Sequence, residues 1–316
     1  MSKIKGFIII ISIILVLIGG ALLVFAITKG AFTKASTLQE VSHDFTEDVT
    51  NINVDVDTAE IIFIKSNEEK TVVVSKDNEK VSTEVSVNAG TLNIKSVDNT
   101  KWYENLFTFN GKRDIKIYLP KNAYNNLVIN DHTGDINIPN DFTFSSVEIK
   151  LSTGDVTLKS NVENDITITS STGDITLEDI NPKNITITTS TGHKHLTNLN
   201  VGGDVTLTAS TGKTYLTDVL ANNLTISTDT GRNNLKNTII NNNMTITTST
   251  GDVTFDKCDA LNIKVKTSTG DVTGKLLTEK SFYAVSSSGK IDVPKTTGNI
   301  CEIETSTGDI KITIAE

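Results

Sequence analysis

The chain has 316 residues, a formal net charge of −9, 37% hydrophobic residues and only 5% aromatic ones. So acidic a balance excludes nucleic acid as a natural partner, because phosphate binding needs an excess of Lys and Arg. Few aromatics beside abundant Thr, Asn, Ser and Ile argue against a helix-rich enzyme core and for strands joined by polar turns.

The first element is residues 7–27, an uncharged run from Phe7 to Ile27. As a helix rising ~1.5 Å per residue it spans the ~30 Å of a bilayer's hydrocarbon core, so it is expected to be a transmembrane helix. Lys3 and Lys5 precede it without an acid nearby. The positive-inside rule then predicts residues 1–6 in the cytoplasm and the bulk of a single-pass cell-membrane protein outside. A signal peptide cleaved after Ala26 is the competing expectation, although its apolar core usually runs only ~7–15 residues. Without Lys3, Lys5 and Lys29 the remainder carries −12. Residues 28–40 read as a polar juxtamembrane spacer.

Residues 41–120 contain irregular alternating runs, among them Asn51 to Val56, Ile61 to Ile64, Thr71 to Val74, Val81 to Val87, Thr91 to Ile94 and Asp114 to Leu119. Each reads as a short strand bounded by turn residues. Together they suit a β-rich module capping a repeat array. Trp102 to Phe109 holds the single Trp and reads either as an aromatic contact loop or as a plug in the cap's small core.

From residue 121 to 316 the chain is periodic. Gly134, Gly154, Gly173, Gly192, Gly212, Gly231, Gly251, Gly270, Gly289 and Gly308 fall 19 or 20 residues apart, mostly within Ser-Thr-Gly-Asp. Seven and five residues before each glycine the chain is always apolar. Two and four after it is nearly so, the exceptions being Lys194, Thr214, Asn233 and Gly274. Each unit therefore reads as two short strands turning at the glycine and again near Asp165, Asn184, Asp204, Asn223, Asn243 or Asn262. The expected fold is a parallel β-solenoid (β-helix) of about ten coils, because stacking equivalent residues ~4.8 Å apart explains the recurrence. An antiparallel meander would not require it. Cys258 and Cys301 sit at different offsets on different coils and are expected to be free and buried.

After the glycines runs a ladder of Asp135, Asp155, Asp174, His193, Lys213, Arg232, Asp252, Asp271, Lys290 and Asp309. Paired carboxylates invite glycosidase or calcium readings, but a repeated feature fits corner chemistry, each Asp bonding backbone amides. Neither a catalytic residue, a cofactor nor a metal centre is implied. His193 and His195 make only half of a zinc site, and Asp131, His132 and the Ser152 column lack the setting of a hydrolytic triad.

The pattern breaks on three consecutive coils, where His193, Lys194, His195, then Lys213, Thr214, Tyr215, then Arg232, Asn233, Asn234 replace acid-apolar-Thr. One reading is a binding patch of His193, Lys194, His195, Lys213, Tyr215, Arg232 and Asn234 for an anionic envelope polymer or acidic protein surface. The other is a splayed strand wetted on both sides. Beyond Ile314 no cap is apparent, so the Gly308 coil is expected to end the stack and offer an edge for self-association or for a partner's strand, the alternative being that Lys311 and Glu316 block it.

The N-terminal anchor, the Asp114-Ile115-Lys116-Ile117-Tyr118-Leu119-Pro120 lead-in and the Ser-Thr-Gly-Asp-Ile/Val-Thr-Leu units resemble a bacterial β-strand repeat family of putative adhesins, a domain of unknown function that includes LiaG-like membrane proteins. The resemblance covers about Val41 to Glu316 and implies an envelope role without established catalytic residues. The expected function is a membrane-anchored, non-enzymatic adhesin or envelope-binding scaffold. The alternatives are an envelope-stress sensor or accessory subunit, and an enzyme acting on wall polysaccharide.

Overall fold

The computed structural model describes residues 11–12, 14–21, 24–25, 28, 38–98 and 113–315. Part of the expected anchor and all of the Trp102 to Phe109 cluster lie outside them. Among the described residues no helix is long and apolar enough to cross a membrane.

From Gln39 onward the described residues are β structure, and the repeat forms a parallel β-solenoid of about nine full turns, with the Gly289 coil as an incomplete tenth. Equivalent residues stack in register: Val147 on Ile166, Ile166 on Ile185, Ile185 on Val205 and Val205 on Leu224. Their side chains, with those of the opposite wall, fill one continuous apolar interior. A lone coil could not offset its ordering entropy; stacked, each sealed side chain contributes about 1.5–3 kcal/mol.

The cross-section has three sides where the repeat predicted two strands. After the glycine corner and the second strand, Asp179, Asn198, Asp218, Asn237 and Lys257 adopt left-handed backbone with φ of 46–58°. Asn and Asp tolerate this region because their short polar side chains bond locally. Here Asn198 donates to Asp179 at 2.5 Å and Asn237 to Asp218 at 2.8 Å. The corner opens a third side whose inward residues, Ile180, Leu199, Val219 and Cys258, then Val201, Ala221, Ile240 and Ala260, are all buried. Both cysteines are free and buried.

The stack begins before the first glycine. Strands β1 (Gln39–Phe45), β2 (Asn51–Thr58), β3 (Glu60–Lys65), β4 (Thr71–Asp77), β5 (Val81–Asn88), β6 (Thr91–Asp98), β7 (Asp114–Leu119), β8 (Ala123–Thr133) and β9 (Ile136–Ile138) form the N-terminal end. β2 and β3 make a coil directly beneath β8 and β9, with Ile52 against Leu127 and Ile61 against Ile136. β6 and β7 lie one layer further out, parallel to β2 and β3. β5 then pairs antiparallel with β6, β4 with β7 and β1 with β4, which closes this end.

At the other end the spatial order departs from chain order. The strand Asn299–Thr307 of the Gly308 coil pairs with Val253–Thr269 on one side and Lys280–Ser288 on the other. The last coil is thus inserted between the Gly270 and Gly289 coils. Its corner agrees, since Asp309 N–H donates to Asp271 Oδ1 at 2.7 Å and Lys290 N–H to Asp309 Oδ1 at 2.8 Å. The expectation that the Gly308 coil ends the stack is therefore corrected: the Gly289 coil is outermost. The physical reason lies in its side chains. Phe282, Ala284 and Val293 are only partly buried and Ile291 is exposed, whereas Cys301, Ile303, Ile310 and Ile312 of the last coil complete the sealed columns.

Candidate functional site

The site is built on the coils of Gly192, Gly212 and Gly231. Register places Lys194 beside Thr214 and Thr214 beside Asn233, and likewise His195 beside Tyr215 and Tyr215 beside Asn234. Because strand side chains alternate, these two rows face opposite ways. Lys194, Thr214 and Asn233 point inward and are each 0% exposed. Both earlier readings of this row are corrected. Lys194 is no part of a surface patch, and the strand is neither splayed nor wetted on both sides.

Lys194 fits the core because its stem is aliphatic and Nζ donates to Thr189 Oγ1 at 3.2 Å. Burial pulls its pKa down to about 8, opposed only weakly by the field of Asp174. The repeat did not reveal why the interior is polar here. Three residues before the glycine stand Ser170, Thr189, Thr228, Thr248 and Thr267, all buried, so a hydroxyl column, broken at Ala209, runs inside the glycine corner. The signal was present in the sequence as Thr or Ser recurring at one fixed offset.

Outside, the His195 and Tyr215 rings stack with centroids 4.8 Å apart and planes within 8°. His193 meets His195 edge-on at 6.3 Å. His193 Nδ1 accepts the Lys213 backbone N–H at 3.0 Å, and the backbone N–H of His193 donates to Asp174 Oδ1 at 2.7 Å. His193 thus continues the ladder in which Asp155 N–H donates to Asp135 and Asp174 N–H to Asp155. The corner reading of these aspartates is what the geometry has, with Oδ1 of each accepting a backbone amide from the next coil. Lys213 and Arg232 lack an acceptor in this role, so the ladder stops there, and the Arg232 guanidinium turns to Asp252 with Nε 3.2 Å from Oδ2. Six predicted residues, His193, His195, Lys213, Tyr215, Arg232 and Asn234, share this outer flank. With its lone pair engaged, His193 Nδ1 is not open to a metal. Among the described residues no three His, Cys, Asp or Glu side chains converge in a metal-binding group.

Asp131 and His132 also separate across their strand. His132 Nδ1 lies 3.3 Å from Asp57 Oδ1 at the surface. Asp131 is buried, with Oδ2 unbonded and its pKa pushed up to about 6 by desolvation.

The sequence matches the family described as Toastrack DUF4097 over residues 49–313. No curated protein matches it. Among solved structures, a putative adhesin from Bacteroides fragilis is 15% identical with a TM-score of 0.48, covering 75% of this chain and 97% of its own. A putative lipid binding protein from Parabacteroides distasonis is also 15% identical, with a TM-score of 0.46, covering 86% of this chain and 99% of its own.

Proposed function

Because the chain belongs to the Toastrack DUF4097 family, we propose that it is a non-enzymatic binding protein displayed on the outer face of the cell membrane by one N-terminal anchor. The uncharged stretch at residues 7–27, with Lys3 and Lys5 before it, supports that placement. The observation that carries the binding role is the parallel-stacked His195 and Tyr215 pair, flanked by Lys213 and Asn234 and lying beside His193 and Arg232. Stacked face to face, the two rings hold each other in place and keep an imidazole and a phenol beside the adjacent cations and amide, which together supply donors for an anionic group. On a chain of net charge −9 this combination fits an anionic envelope polymer. The solenoid acts as a rigid scaffold that fixes the spacing of the three rows at ~4.8 Å.

The test is retention of the detergent-solubilised full chain on purified anionic wall polymer. Lys213→Glu with Arg232→Glu should weaken retention at least ~10-fold, and raising salt should weaken the wild type in the same direction. Unchanged retention of the charge-reversed chain removes the reading.

A further inference from the structure

The two ends of the solenoid are finished differently. At the N-terminal end β5, β4 and β1 run antiparallel across the outer layer and close it. At the other end Lys280–Ser288 pairs only with Asn299–Thr307, and Ile291–Asp292 only with Ile310–Ile314, among the described residues. Between Ser281 and Ser288 there is no charge and no proline, the devices that ordinarily blunt an edge strand. Tyr283 and Val285 are 62% and 60% exposed, and Ile291 and Ile300 are exposed beside them. Tyr283, Val285, Ile300 and Ile303 line a shallow groove of about 430 Å³ with Glu302 and Glu304. Those two carboxylates are already engaged by Lys264 and Lys266 one strand inward.

We propose that this open end pairs with the same end of a second copy, the two Lys280–Ser288 strands meeting antiparallel about a two-fold axis at Ala284. That register sets Tyr283 opposite the partner's Val285, and Val285 opposite the partner's Tyr283. These are aromatic and β-branched cross-strand pairs, each contributing ~0.2–1 kcal/mol. Within these two strands it brings no like charges together, since Lys280 falls opposite Ser288, and the contact closes on itself as an isologous interface must. A single extended peptide would cover one side of the triangular end and leave Ile291 bare. A second copy brings its whole end and covers both open strands at once.

The chain enters the fold at Gln39, in the cap at the far end of the stack. A head-to-head pair therefore carries its two entry points at opposite extremities. If the chain is anchored as proposed above, on which this clause alone rests, the pair joins copies on two facing membranes rather than neighbours in one.

The experiment is sedimentation of the detergent-solubilised full chain. The wild type should run as a dimer. Tyr283→Lys with Val285→Lys, and separately Tyr283→Glu with Val285→Glu, should each run as monomers, and mixing the two should restore the dimer. Both side chains are solvent-exposed, so the substitutions leave the core intact, and recovery on mixing proves both variants folded. A monomeric wild type, or charge variants that dimerise like it, overturns the pairing. Vesicles carrying the full chain should cluster, and the lysine variant should abolish this. Dimers in detergent without clustering would keep the pairing and overturn the facing-membrane placement.

Discussion

Lys194 occupies a column that Ile175 beside it and Val253 further along fill with apolar side chains, and among the described residues its ammonium has one hydroxyl partner. Thr214 Oγ1 and both amide atoms of Asn233 have no protein partner among the described residues. Unpaired buried polar groups of this kind cost ~1–3 kcal/mol each, so this segment is where the interior gives up stability. The folded pKa of Lys194, about 8, lies below its ordinary 10.5. Between those values the folded chain binds fewer protons than the unfolded one, so stability rises with pH. The cost of burying the cation is fully present below pH ~8 and disappears towards pH ~10.5. Lys194→Met should therefore stabilise the protein by on the order of 3 kcal/mol at pH 7. In urea titrations its advantage over wild type should shrink as pH approaches 10.5. Groups common to both proteins cancel in the difference, and an advantage independent of pH would refute the assignment.

The coil as an element depends on how closely its glycine corners stack. At Gly212, φ is +147° and an added Cβ would stand 1.9 Å from the carbonyl oxygen of Gly192. Two causes, backbone and contact, exclude a side chain there. Gly212→Ala should cost ~3 kcal/mol or more, whereas Gly202→Ala, whose Cβ meets nothing nearer than Lys183 Cα at 4.0 Å, should cost under ~1 kcal/mol. Thermal unfolding of the two variants separates them, and equal losses would remove the stacking argument. This close approach is why the corner was legible: it admits one residue type, so the sequence repeats it. The first two sides were legible for a related reason, since period-2 alternation in the strands leaves fixed apolar columns. The third side was not, because it is short, it begins from a left-handed Asn, Asp or Lys, and it fills its inward places with residues as varied as Leu199, Ala221 and Cys258. The patch was half legible. Its coils and outward residues were found from the broken pattern, but a lysine in an apolar column reads as surface, because charges are rarely buried. Its complete burial beside Ile175 is what places Lys194 inside.

For the whole molecule, the least expected feature is the insertion of the last coil. Its trace in the sequence is electrostatic. Lys264 and Lys266 hold the outward positions that Thr or Ser fills on the Gly173 to Gly251 coils, and Glu302 and Glu304 hold the same positions 38 residues on. Each pair meets at 3.2 Å across adjacent strands. In chain order the lysines would face Tyr283 and Val285 instead. Exposed pairs contribute only ~0.2–1 kcal/mol, too little to hold the order alone, so they select it together with the burial of Cys301 and Ile303. The backbone follows: Gly270 N–H donates to Thr307 O at 2.9 Å, and Thr305 Oγ1 donates to Gly270 O at 3.2 Å. A strand paired on both sides opens only with the stack, whereas an edge strand frays locally. Hydrogen exchange on the monomeric Tyr283→Lys, Val285→Lys chain should therefore find residues 299–307 protected nearly as well as the central coils, although they lie within 20 residues of the C-terminus. Residues 280–288, earlier in the chain, should exchange at least ~10-fold faster. The opposite ranking is what coils stacked in chain order would give, since the Gly308 coil would then be the edge. It would also move the proposed pairing surface, because Tyr283 and Val285 would no longer border the open end.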